Sequence, residues 1–185
     1  MFANHGTTLF RRVLATSNPT AFGARAFQAG SGASGLTPFH LAFPVRDLEK
    51  ARAFYGKTLG CRQGRELKGC WIDFDLFGHQ IVCKYFLFVS GHQMQDLSAA
   101  NVVSRNQVDS HKVPVPHFGI VLEWALFHRW AAHLEKQNGF SFEIAPTVRF
   151  KGLPGEQSTM FFLDPSGNAL EFKTFKDPSK LFATE

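Results

Sequence analysis

His40 in PFHLAFPV, His117 in VPHFGIVLE and Glu171 in GNALEFKTF occupy corresponding places in two copies of a weakly repeated unit. Two imidazoles and one carboxylate on strands are a common donor set for a divalent metal that keeps positions open for substrate. With neutral imidazoles and an ionised carboxylate, the ion stays only partly neutralised. A substrate with two adjacent oxygens would then displace two waters and have a developing enolate or phenolate stabilised. Iron(II) would leave a position for dioxygen, whereas zinc, nickel or manganese would direct the same site to proton transfer or hydrolysis.

Such a set needs elements that carry its members to one place. After His40 comes a proline-marked turn and then DLEKARAFYGKTLG, in which Leu48, Ala51, Phe54, Tyr55 and Leu59 recur at helical spacing between an opening Asp47 and a closing Gly60. After His117 the order returns: EWALFHRWAAHLEKQNG places Leu126, Phe127, Trp130, Ala131 and Leu134 on one stripe and ends at Asn138 and Gly139. Downstream, WIDFDLF and HQIVCKYF flank Gly78, and STMFFL and ALEFKTF flank DPSGN, both as hairpins. The order β-α-β-β-β thus occurs twice, which predicts an α+β fold of two βαβββ modules. Their boundaries fall at about 37–88 and 113–175, joined by a polar connector over about 89–112 and followed by a tail over 176–185.

A chain of 185 residues with 44% hydrophobic content can bury one good core. The 21 phenylalanines read as core packing between helices and a curved sheet. The net charge is +5, but lysine and arginine are scattered along the chain, so no nucleic-acid partner is expected. No stretch approaches the roughly 20 apolar residues that cross a bilayer. Residues 1–46 contain no acid but hold Arg11, Arg12, Arg25 and Arg46. This Arg-bearing, hydroxyl-rich composition predicts a transit peptide with a flexible linker over 1–36 and delivery to the mitochondrial matrix. Cys61, Cys70 and Cys83 are odd in number and lack a C-x-x-C spacing, and are expected to be reduced, buried thiols.

FHLAFPVRDLEKARAFYGKTLG, PHFGIVLEW and above all MFFLDPSGNALEFK resemble the vicinal oxygen chelate superfamily, from about residue 37 to 175. That superfamily includes glyoxalase I, bleomycin and fosfomycin resistance proteins, methylmalonyl-CoA epimerase and extradiol ring-cleaving dioxygenases. The resemblance implies two modules whose curved mixed sheets close around a metal-binding cavity, with His40, His117 and Glu171 as ligands. Laying GHQIVCK over GNALEFK sets Val82 against Glu171, so the first module lacks the family's fourth carboxylate. Three-ligand extradiol dioxygenases are therefore more similar to this chain than four-ligand glyoxalase or epimerase sites, which favours iron(II). Lyase, isomerase or non-catalytic binding roles are the alternatives, and a homodimer is allowed. Gln80 shares the inward face of Val82 and is a fourth donor or a support to one.

Acid/base chemistry needs a further group beside the substrate. Lys173 shares the face of Glu171 by alternation. The Gly/Pro-containing stretch RFKGLPGEQST, residues 149–159, reads as a lid-like loop holding Glu156. His92 and His111 fall in the connector, from which either would close over the site.

Overall fold

A computed structural model describes residues 37–85, 104–108, 110–153 and 155–184. Residues 1–36, expected to be a transit peptide and linker, and His92 lie outside the described residues. The first module runs β1 (His40–Val45), a short α1 (Leu48–Ala51) that widens into a π-helical stretch (Arg52–Thr58), β2 (Arg62–Leu67), β3 (Trp71–Leu76) and β4 (His79–Tyr85). The second runs β7 (His117–Val121), α2 (Trp124–Glu135), β8 (Ile144–Arg149), β9 (Gln157–Leu163) and β10 (Ala169–Thr174). Between them lies a hairpin, β5 (Ser104–Val108) and β6 (His111–Val115). No described helix is long and apolar enough to cross a membrane.

The helix starts follow from capping. Asp47 accepts the amides of Glu49 and Lys50, and Glu123 accepts those of Ala125 and Leu126, which satisfies donors that have no partner inside the helix. Gly60 and Gly139 adopt positive φ where the helical segments end, a conformation that glycine takes without steric cost. Each module folds into one open four-stranded sheet, in the orders β1-β4-β3-β2 and β7-β10-β9-β8. In both, the first strand pairs in parallel with the last and forms one edge.

A single apolar cluster joins the modules, drawing on Phe43, Tyr55, Phe74, Leu126, Trp130, Phe162 and Phe172. Phe43 meets Phe118 with ring centroids 4.8 Å apart, and Phe77 meets both Trp130 and Phe172. Polar locks sit at the same seam. The Tyr55 hydroxyl donates to Asp164 Oδ2 at 3.0 Å, and Asn168 donates to the Pro44 carbonyl. The core therefore backs both sheets and leaves the other face of β1, carrying His40, Ala42 and Pro44, exposed.

Three expectations are corrected. Much of the connector's second half is a β-hairpin: β6 carries His111, and Val113 is buried with Ile144 and Phe161 over the second sheet. Val113 supplies the anchor, while the neighbouring Val108 and Val115 stay exposed. The lid-like stretch 149–159 is shorter than expected, because Arg149 ends β8 and Gln157, Ser158 and Thr159 are already buried in β9. Cys61 and Cys83 are buried free thiols, but Cys70 sits exposed at the β2–β3 turn.

Candidate functional site

Glu171 lies on β10, an interior strand between β7 and β9, opposite Gly119 on one side and Phe161 on the other. Gly119 is required at that register, since a Cβ there would collide with the Glu171 backbone carbonyl. The carboxylate is 7% exposed, and each of its oxygens has a defined environment. Oε1 accepts the Thr159 hydroxyl at 2.7 Å. Oε2 faces His117 Nε2 at 3.4 Å and Lys173 Nζ at 3.6 Å.

His117 is oriented from behind. Its Nδ1 lies 2.7 Å from the Pro114 carbonyl, which can only accept, so the proton resides on Nδ1 and Nε2 is turned toward Glu171. Contact with Glu171 raises the imidazole pKa above its ordinary value, against the lowering effect of partial burial. Burial pushes the Glu171 carboxyl up, but His117, Thr159 and the Lys173 charge outweigh it and hold the group below the usual carboxylate range.

His40 lies on the other sheet. At the first position of β1 it pairs with Gln80, and its Nδ1 lies 2.7 Å from Gln80 Oε1. Gln80 Nε2 in turn donates to Asp73 Oδ2 at 2.9 Å, and Arg65 Nε donates to the same oxygen at 3.2 Å. Val82 stands in the register position that Glu171 fills in the second module, with Asp73 beside it on β3. Asp73 and Gln80 line a cleft of about 300 Å³ with Arg62, Gly64, Asp75 and His79.

The structure therefore brings His117, Glu171 and Lys173 together, and separately His40 and Gln80. Among the described residues no three His, Cys, Asp or Glu side chains gather as a metal-holding group, so His40 does not join the other two within this chain. Each module contributes one open four-stranded mixed sheet, as the expected pair of βαβββ modules requires. Glu156 is exposed and accepts the Gly152 amide, which makes it a brace of its own loop. His111 sits on β6 opposite Val108. Asp73 and Thr159 were not singled out from the sequence. Asp73 had a signal, because pairing β3 with β4 across Gly78 sets it beside Val82.

A comparison with curated proteins finds no match. Among solved structures, a glyoxalase/bleomycin resistance protein/dioxygenase from Alicyclobacillus acidocaldarius is 33% identical. The alignment covers 79% of this chain and 96% of that one, with a TM-score of 0.59. A fosfomycin resistance protein from Listeria monocytogenes shares the fold at 15% identity and TM-score 0.51, covering 80% of this chain and 98% of its own. A lactoylglutathione lyase from Agrobacterium tumefaciens does so at 16% and 0.50, covering 82% and 99%. The family described as the Glyoxalase/Bleomycin resistance protein/Dioxygenase superfamily matches residues 37–172. With its paired βαβββ modules and a family match over most of its length, the chain belongs to that superfamily, the vicinal oxygen chelate proteins.

Proposed function

We propose that this chain is one protomer of a metal-dependent enzyme that moves a proton on a small substrate bearing two adjacent oxygens, as a lyase or isomerase does. The carrying observation is the juxtaposition of His117 Nε2 and Glu171 Oε2, whose companion atoms Nδ1 and Oε1 already have protein partners. When His117 is neutral, its Nε2 lone pair faces a carboxylate oxygen, an arrangement that a cation relieves. Those two residues fit a divalent ion as a pair of donors. Bound there, such an ion supplies charge stabilisation for a developing enolate oxygen. Thr159 holds the carboxylate in place, Pro114 holds the imidazole, and Lys173 is the neighbouring group able to pass a proton at Nζ.

The third donor in this reading is His40 from a second copy. β1 and β7 are sheet edges, and an edge strand presents unpaired backbone groups suited to pairing with another chain. His40→Ala and Glu171→Ala should each lose bound zinc or manganese after gel filtration. Mixed by co-refolding, they should recover about a quarter of wild-type stoichiometry, because half the random dimers are mixed and each restores one of two sites. Retention of metal by both single variants would sink the metal reading, and a mixture that recovers none would sink the two-copy site.

Extradiol ring cleavage with iron(II) is the second reading. Its support is that Gln80 Oε1 is engaged by His40, so three protein donors leave room for a chelating substrate and dioxygen. Oxygen uptake with catechols, run beside a hemithioacetal lyase assay, separates the two readings.

A further inference from the structure

Asp73 is 4% exposed, yet among the described residues its Oδ1 has no hydrogen-bond partner. That oxygen lies beneath Gly64, where a Cβ would collide with it. Leaving a buried carboxylate oxygen unsatisfied is costly. The remaining oxygen, Oδ2, receives both Arg65 Nε and Gln80 Nε2. Arg65 is itself steadied over the Trp71 ring, with Cζ 5.8 Å from the centroid.

We propose that Asp73 and Gln80 form a carboxylate–amide relay that fixes the tautomer of His40, making Asp73 a positioning residue two hydrogen bonds behind the imidazole. The chemistry forces the direction. A carboxylate only accepts, so Gln80 must turn its Nε2 to Asp73 and its Oε1 to His40. An amide oxygen also only accepts, so the His40 proton sits on Nδ1 and Nε2 keeps its lone pair on the exposed face of β1. The result matches His117, whose Nδ1 proton is fixed by the Pro114 carbonyl. Two unlike devices thus leave both histidines presenting a basic Nε2. The same network occupies the Gln80 oxygen, which makes Gln80 a support of His40. The use of that Nε2 rests on the metal reading above, while the tautomer itself does not.

His79 provides an internal reference. Its Nδ1 accepts the Phe39 amide at 3.0 Å, so its proton belongs on Nε2, opposite to His40. Long-range nitrogen–proton correlation spectra of histidine-labelled full-length protein, taken at alkaline pH, read both rings together. The expected wild-type pattern is Nδ1–H for His40 and Nε2–H for His79. Asp73→Ala and Gln80→Met should each convert His40 to a mixture dominated by Nε2–H, with His79 unchanged as the sign of an intact fold. Asp73→Asn, whose amide oxygen still accepts from Gln80, should retain Nδ1–H. A wild-type His40 carrying its proton on Nε2, or an Asp73→Ala spectrum identical to wild type, overturns the relay. Absence of manganese binding by the wild-type protein would instead remove the metal reading and leave the tautomer result standing.

Discussion

Charge at the His117–Glu171 pair ties the site to stability. A raised imidazole pKa contributes stability that is complete below the ordinary value of 6.5 and is lost as pH rises through the raised value. A lowered carboxyl pKa contributes stability that is complete above the ordinary value of 4.5 and is lost as pH falls through the lowered one. Lys173 and Thr159 face the same carboxylate and remain after His117 is replaced. Metal-free wild type should therefore exceed His117→Ala in Tm by its widest margin between those two values, and the margin should shrink above them. Thermal melts in matched buffers from pH 5 to 9 check this, and a margin that widens toward pH 9 would contradict the protonated pair.

Among the elements, the β5–β6 hairpin was the least expected and has the clearest energetic signature. It holds the second sheet through buried Val113 against Ile144 and Phe161, while Arg149 donates to the Val108 carbonyl. Phe161 is the register partner of Glu171, so the hairpin keeps that part of the sheet dry. Val113→Ala removes two methyl groups from this small cluster and should cost about 1–2 kcal/mol. It should also speed amide exchange in β9 and β10 more than in β3 and β4. Equal acceleration in both sheets would show that the hairpin stabilises the whole chain and not this face.

At the scale of the molecule, one shared core and the buried Tyr55–Asp164 contact couple the modules. Burial and the neighbouring Asp164 push the Tyr55 hydroxyl well above its ordinary pKa, so it stays a neutral donor. Tyr55→Phe leaves Asp164 with the Ser166 and Asn168 donors but without this one, and should cost about 2 kcal/mol. Unfolding should remain a single transition by near- and far-UV circular dichroism, because Phe43–Phe118 and Phe77–Phe172 still span the seam. Two separated transitions would show that the modules fold independently.

The sequence by itself determined the modules. Period-two and helical spacing place β1 and both helices, because each of these buries one face, while β9 and β10, buried on both faces, are placed by short apolar runs bounded by turn residues. The capping residue Asp47 and the turn at DPSGN are local chemistry and were legible for the same reason. Only the tertiary structure decided which polar atoms meet. Pairing β7 with β10 sets His117 beside Glu171, while pairing β1 with β4 delivers His40 to Gln80 and through it to Asp73. Repeat symmetry assigns equivalent residues to equivalent strands, but it carries no information on how one sheet lies against the other. That arrangement is fixed by the shared Phe, Tyr and Trp core between them, whose contacts join residues up to a hundred or more positions apart.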